Sequence, residues 1–268
     1  MADQGRIPVA LAIAGSDSGG GAGIQADLKA FARCGVHGTT AITAITAQST
    51  VGVEAVHAVP PEIIVAQVRA VAGDIGVDAV KIGMLGTAET VDAVVEALAL
   101  VRGVPVVVDP VMVAESGATL LDPEAREALV RRLLPLATVA TPNVLEAREL
   151  TGLDEDAAQE DLARAVRGLG VAVAVVTGGH TESGTDVLVD DQPEPLRIEG
   201  PLHPPGASHG SGCTHSSVLA AQLARGAGIR EAAATARRIT SEAVERGLRE
   251  IGAGAGPVDA LGLTDPLP

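Results

Sequence analysis

Short runs of β-branched and aliphatic residues alternate with longer segments of helical period along most of this chain, and that alternation limits the fold more than any other feature. Val9–Ala14, Thr39–Thr46, Ala79–Ile82, Pro105–Val108, a short run at Val139, Val171–Val176 and Asp186–Val189 read as strands, with Val53–Val59 as a third or edge strand. Helical patterns occupy Ile24–Cys34, Pro61–Ala72, Thr87–Val101, Glu124–Leu134, the region near Val144–Leu150, and Asp156–Gly168. Asp122-Pro123 supplies an N-cap and a first helical residue for the fourth of these. A Pro-rich link at Pro193–Pro205 then leads to helices at Ser211–Arg225 and Ile229–Ile251. Strands alternating with helices imply βαβ units, so the expected class is α/β, with a mainly parallel sheet and helices on both faces. Ligands of such sheets bind beyond the carboxyl ends of the strands.

A chain of 268 residues, 47% hydrophobic and 20% charged, can bury a substantial core, and no repeat or low-complexity linker divides it. One domain over residues 1–268 is expected, with Met1–Arg6 and the last few residues loose. The net charge of −15 excludes a general nucleic-acid binder, which needs a basic footprint to neutralise phosphates. It leaves room for one small anionic substrate. Only Lys29 and Lys81 are lysines and only Phe31 is aromatic, which fits either a GC-rich genome or an acidic surface adapted to salt. Cys34 and Cys213 form neither a disulfide framework nor a zinc motif, and suit a reducing cytoplasm. No apolar run approaches the roughly 18 residues of a membrane span, so no membrane partner is expected.

Chemistry is sought in the loops after the strands. Gly15-Ser16-Asp17-Ser18-Gly19-Gly20-Gly21-Ala22-Gly23 holds five glycines in nine positions. Gly21, Gly23 and Ala26 match a dinucleotide fingerprint on paper, but the loop is too long and no acidic residue ends the second strand. A second cluster, Ser208-His209-Gly210-Ser211-Gly212-Cys213-Thr214, runs directly into a helix. Backbone N–H groups there, with the helix dipole behind them, make an anion site. The same dipole is expected to lower the Cys213 pKa and favour its thiolate. Asp109 follows a buried strand, and Asn143 and Glu146 stand three apart at a helix start. Such oxygen ligands suit Mg²⁺ beside substrate phosphates, although Asn143 and Glu146 also read as a helix cap with its partner.

Eight sequence motifs in one order carry a family resemblance. They are Ala14–Gly20, Gly23–Lys29, Thr46-Ala47-Gln48, Lys81–Leu85, Asp109–Met112, Thr141-Pro142-Asn143 with Glu146, Gly178-Gly179-His180 and His209–Thr214. The chain resembles the ribokinase-like superfamily, and within it the hydroxymethylpyrimidine/phosphomethylpyrimidine kinases of thiamine biosynthesis. That resemblance implies a three-layer sandwich and a kinase that phosphorylates 4-amino-5-hydroxymethyl-2-methylpyrimidine and then its monophosphate, with ATP as co-substrate and Mg²⁺. Gln48 would pair with the aminopyrimidine edge, and Gly15, Ala22, Asp27, Met84 and Val111 would line its pocket. Cys213 would stand where sugar kinases carry a catalytic base, and Gly210, Ser211 and Gly212 would help hold the phosphoryl group. Asn143, Thr177 and Gly179 would contact ATP, and Asp109 and Glu146 would organise the metal. A cytoplasmic homodimer is expected.

Two positions depart from the family. Thr177 and Glu115 stand where it commonly has lysines, so positive charge is lost beside a polyanion. A pyridoxine or pyridoxal kinase and a non-catalytic pyrimidine-sensing protein remain as alternatives.

Overall fold

Val9–Ser16 forms β1, buried along all but its last residue, as expected of a strand covered on both faces. This computed structural model describes residues 5–264, apart from positions 116, 180, 182 and 205. The other strands are β2 (His37–Ser49), β3 (Gly52–Ala58), β4 (Ala79–Ile82), β5 (Val106–Val108), β6 (Val139–Ala140), β7 (Val173–Val176), β8 (Asp186–Val189) and β9 (Leu196–Ile198). They form a sheet in the order β3-β2-β1-β4-β5-β6-β7-β8-β9. Pairings from β2 through β7 are parallel, while β3, β8 and β9 join antiparallel. The helices are α1 (Gly23–Arg33), α2 (Pro61–Asp74), α3 (Ala88–Leu98), α4 (Pro123–Ala128), α5 (Val144–Thr151), α6 (Gln159–Gly168), α7 (Ser211–Ala224) and α8 (Ile229–Glu245).

Strand alternation sends side chains to two cores. Leu11, Ile13, Val80, Ile82, Val106, Val108 and Val176 pack with α2 to α6 on one face. Ala10, Ala12, Ala14, Val107, Val175 and Leu188 pack with α1, α7 and α8 on the other. Phe31 of α1 is fully buried in that second core. Small alanines on this face of β1 let α1 and α7 lie close to the sheet, which brings both glycine-rich loops to one sheet edge.

Several expectations change. The Pro-rich link contains β9, because Leu196 and Ile198 extend against β8 despite the flanking prolines. The last helix ends at Glu245, not Ile251, and the chain turns at Gly247. The fourth helix is regular only to Ala128, then widens into a π turn over Leu129–Leu133 and tightens at Leu134–Leu136, where Pro135 removes a donor. Asp122 precedes it in extended conformation without a side-chain capping bond. The strand after the first helix reaches Ser49 because Gln48 and Ser49 continue the pairing with β3. Among the terminal residues expected to be loose, Arg6 hydrogen-bonds Asp78 at 2.9 Å, while 1–4 and 265–268 lie outside the described residues.

Candidate active site

The chain leaves β1 in one direction to reach β2 and crosses to β4 on the other side, which places a crevice at the carboxyl edge of the sheet. A cavity of about 390 Å³ occupies this edge, enough for a small ligand. Gly15, Ala22, Gln48, Met84, Val111, Asp109, Asn143, Glu146, Thr177, Gly179, Gly210, Ser211, Gly212 and Cys213 all line it. Asp27 does not. It is completely buried behind the wall, bound to Lys81 Nζ at 2.7 Å and Ser217 Oγ at 2.7 Å. Its role is therefore to hold Lys81, which does reach the cavity. His180 lies outside the described residues.

One wall of the cavity is the start of α7. Gly210 takes φ +81, and a Cβ there would fall 1.8 Å from the Gly21 carbonyl oxygen, so only glycine fits. The Ser211 N–H donates to Ser208 O at 2.9 Å. The Gly212 and Cys213 amides have no such acceptor among the described residues, and point-charge attraction at a helix start favours an anion there.

The thiol corrects one expectation. Burial pushes Cys213 up to about 12, with Lys81 opposing and Asp109 and Asp27 adding to the rise. The dipole is outweighed, and the resting group is a thiol that meets the cavity. Lys81 sits beneath it, 4.0 Å from Asp109 Oδ2. Burial works against the ammonium, but the neighbouring Asp27 and Asp109 outweigh it and keep Lys81 charged. Sequence reading did not assign Lys81 a role. Its signal was a charge between Val80 and Ile82 in a fully buried strand.

Asn143 and Glu146 form a reciprocal cap. Asn143 Oδ1 accepts the Glu146 N–H at 2.9 Å, and Glu146 Oε2 accepts the Asn143 N–H at 2.9 Å. The cap expected here is present, and it also fixes Glu146 on the cavity wall. Burial, then the Asp109 charge, pushes Glu146 up to about 8. Asp109 is likewise raised by burial, against Lys81 and Ser216. Two close buried carboxylates that resist ionising together fit a divalent cation. Among the described residues no cluster of three His, Cys, Asp or Glu side chains exists. Two carboxylates suit Mg²⁺, which keeps waters and takes phosphate oxygens as its remaining ligands.

Gln48 occupies the other end. Its Oε1 accepts from Thr46 Oγ1 at 3.2 Å, and the Ser18 hydroxyl donates to the Gln48 carbonyl at 2.6 Å. Of the two substituted positions, Thr177 is set by its N–H to Pro142 O at 2.9 Å. Glu115 Oε1 accepts from Ser208 Oγ at 2.9 Å, beside the start of α7. No helix is long and apolar enough to cross a membrane among the described residues.

The chain matches the family described as phosphomethylpyrimidine kinase over residues 17–259. It is 46% identical over 256 residues to the hydroxymethylpyrimidine/phosphomethylpyrimidine kinase of Rhizobium meliloti, covering 93% of this chain and 96% of that protein. It is 44% identical over 254 residues to the thiamine biosynthesis bifunctional protein ThiED of Geobacter sulfurreducens. There the match covers 94% of this chain but 52% of that protein, so the chain spans about half its length. The solved ADP complex of Bacillus subtilis pyridoxal kinase shares the fold with a TM-score of 0.87 at 36% identity, covering 97% of this chain and 100% of that one. The architecture is the ribokinase-like three-layer sandwich, with helices on both faces of its sheet. Matched from Asp17 to Asp259, the chain belongs to the phosphomethylpyrimidine kinase family.

Proposed function

We propose that this site transfers the γ-phosphoryl group of ATP to the hydroxymethyl group of 4-amino-5-hydroxymethyl-2-methylpyrimidine, and then phosphorylates the monophosphate. One observation carries the reading. The open amides of Gly212 and Cys213 share one cavity with Gln48, Met84 and Val111 and with the Asp109 and Glu146 carboxylates. Phosphoryl transfer needs positioning and charge neutralisation more than covalent help, and this arrangement offers both.

Gln48 presents an amide to the ring edge, while Met84 and Val111 pack its apolar faces. The helix start holds the transferring group. Asp109 and Glu146 would hold Mg²⁺, which neutralises charge on phosphate oxygens when bound. Cys213 rests as a thiol, so it presents an S–H donor to the reacting oxygens, and the hydroxyl proton passes to a phosphoryl oxygen as the new P–O bond forms and the bond to ADP breaks. Asn143, Thr177 and Gly179 contact the nucleotide from the neighbouring strand ends. The protein works as a homodimer in the cytoplasm, with both cysteines free.

A coupled ADP-release assay with the alcohol, its monophosphate and pyridoxal tests this. The pyrimidine alcohol should turn over best. Higher kcat/KM for pyridoxal would transfer the assignment to a vitamin B6 kinase, as the pyridoxal kinase fold similarity allows. Pyrimidine binding without ATP binding would leave a sensor.

A further inference from the structure

His215 stands just past the first turn of α7, two residues after Cys213, and lines the cavity although it is only 4% exposed. Its Nε2 lies 3.1 Å from Asp186 Oδ2 at the start of β8. Neither ring nitrogen, nor that oxygen, makes an aligned hydrogen bond among the described residues. The other oxygen, Asp186 Oδ1, accepts the Gly178 N–H at 2.9 Å. The imidazole and carboxylate thus sit between the helix start and the Thr177–Gly179 turn. Buried polar atoms with unspent hydrogen-bonding capacity cost stability, and a ligand that completes them recovers it.

The groups around His215 leave it available. Lys81 of β4 is committed to Asp27 of α1. Arg237 of α8 donates to the carbonyls of Gly184 and Pro201. Asp109 of β5 is held by Ser216, the next residue of α7. Cys213 on the same helix is a neutral thiol at rest. Among the described residues, the one ion-pair partner of its ring is Asp186.

We propose that His215, held by Asp186, gives the nucleotide phosphates a ring N–H donor at the end of the cavity where Thr177 brings no charge. The inference rests on the phosphotransfer reading. It makes His215 a phosphate-holding group and Asp186 its positioning residue. No covalent bond changes in this step.

The test is calorimetric titration of Mg-ADP into the full chain. His215→Leu, which fills similar space without a donor, should bind about tenfold or more weakly, the scale of a lost hydrogen bond to a charged group. His215→Gln, which keeps a donor of similar reach, should recover part of that affinity, and so should adding Thr177→Lys to His215→Leu. Unchanged affinity in His215→Leu would overturn the inference alone. A lowered melting temperature with affinity that Thr177→Lys does not recover would make the imidazole a packing element and overturn it equally. Unmodified protein that binds no ADP would remove the phosphotransfer reading as well.

Discussion

His209 Nε2 lies 2.9 Å from Asp17 Oδ2, and this buried contact joins the two glycine-rich loops of the cavity. The same carboxylate accepts N–H groups from Gly19, Gly21 and Ala22. The His209 ring packs so tightly on Gly21 that a Cβ there would lie 2.1 Å from Cδ2. The backbone of His209 also pairs with Gly256 and Val258, tying in the last turns of the chain. The two glycine-rich loops therefore share one anchor. Asp17→Asn should lower kcat and raise KM for both substrates, because an amide cannot accept from all these donors. The stability loss should be on the order of 1–3 kcal/mol, one unmet buried donor, read as a shift of the denaturant midpoint. Loss confined to one substrate's KM would show that the loops are independent.

Asp17 also sets an acid limit. Burial opposes its charge, but the His209 bond and the backbone N–H groups hold its pKa below the ordinary value of 3.8. Stability from this group is present above that ordinary value and is lost as pH falls through the lowered one. Asp17→Asn should therefore remove part of the acid sensitivity of the melting temperature.

Gln48 faces a different constraint. Thr46 fixes its Oε1, which orients the Nε2 donor. Gln48→Ala should raise the pyrimidine KM by about tenfold or more, the cost of leaving one buried partner unmet. The ADP affinity should stay within error of the unmodified protein. Steady-state kinetics with calorimetry separates the two, and an unchanged pyrimidine KM would remove Gln48 from the site.

Cys213 provides a chemical readout. With the thiol raised by burial to about 12, alkylation should be slow at neutrality and climb steadily into strongly alkaline solution without a plateau. Mg-ADP or the pyrimidine should protect it. A plateau near neutral pH would restore the thiolate expected from helix position alone. Cys213→Ala should lower kcat well beyond its effect on melting temperature.

How legible this was can be argued from particular residues. The sheet was readable because Val106–Val108 has no polar break and Lys81 is the single one in β4. β9 was not, because Pro193 and Pro195 flank it and only three residues pair. Cavity-lining residues after strand ends were legible, since that position alone draws attention to Asp109 and Thr141. Asp27 was misplaced because a pocket wall and the layer behind it look alike in sequence. The Cys213 pKa was misjudged for a related reason: helix polarity is local, whereas desolvation depends on α1, β4 and β5 closing around the thiol. Lys81, His209 and His215 needed partners 54, 192 and 29 positions away, beyond any local pattern.

Glu146 gives a pH test of the paired carboxylates. Its pKa rises from an ordinary 4.5 to about 8, through burial first and the Asp109 charge second. The stability that comes with its proton is complete below 4.5 and lost as pH rises through about 8. In chelator, the melting temperature should fall across that window, and Glu146→Gln should flatten the fall. Mg²⁺ should recover stability at the alkaline end in the unmodified protein and much less in the variant. An identical pH profile with and without Glu146→Gln would separate the carboxylate from the cation site.

The exposed acid at the cavity mouth gives the last prediction. Glu115 replaces a common family lysine and accepts from Ser208, two residues before Gly210. A bound triphosphate would bring like charge to this carboxylate, so the bond must loosen or the affinity must drop. Glu115→Gln keeps the hydrogen bond and removes the charge. It should lower the ATP KM about two- to fivefold in dilute buffer, the range of a solvent-exposed charge interaction. Glu115→Lys should gain more than Gln, because attraction replaces repulsion. Both gains should fade toward molar salt, where screening acts within about 3 Å. Ser208→Ala separates charge from tether: it frees the Glu115 side chain without neutralising it. If Ser208→Ala lowers the ATP KM as far as Glu115→Gln, the contact acts by holding the loop, and the carboxylate charge is incidental. If only the Glu115 variants respond, electrostatics at the mouth sets nucleotide affinity.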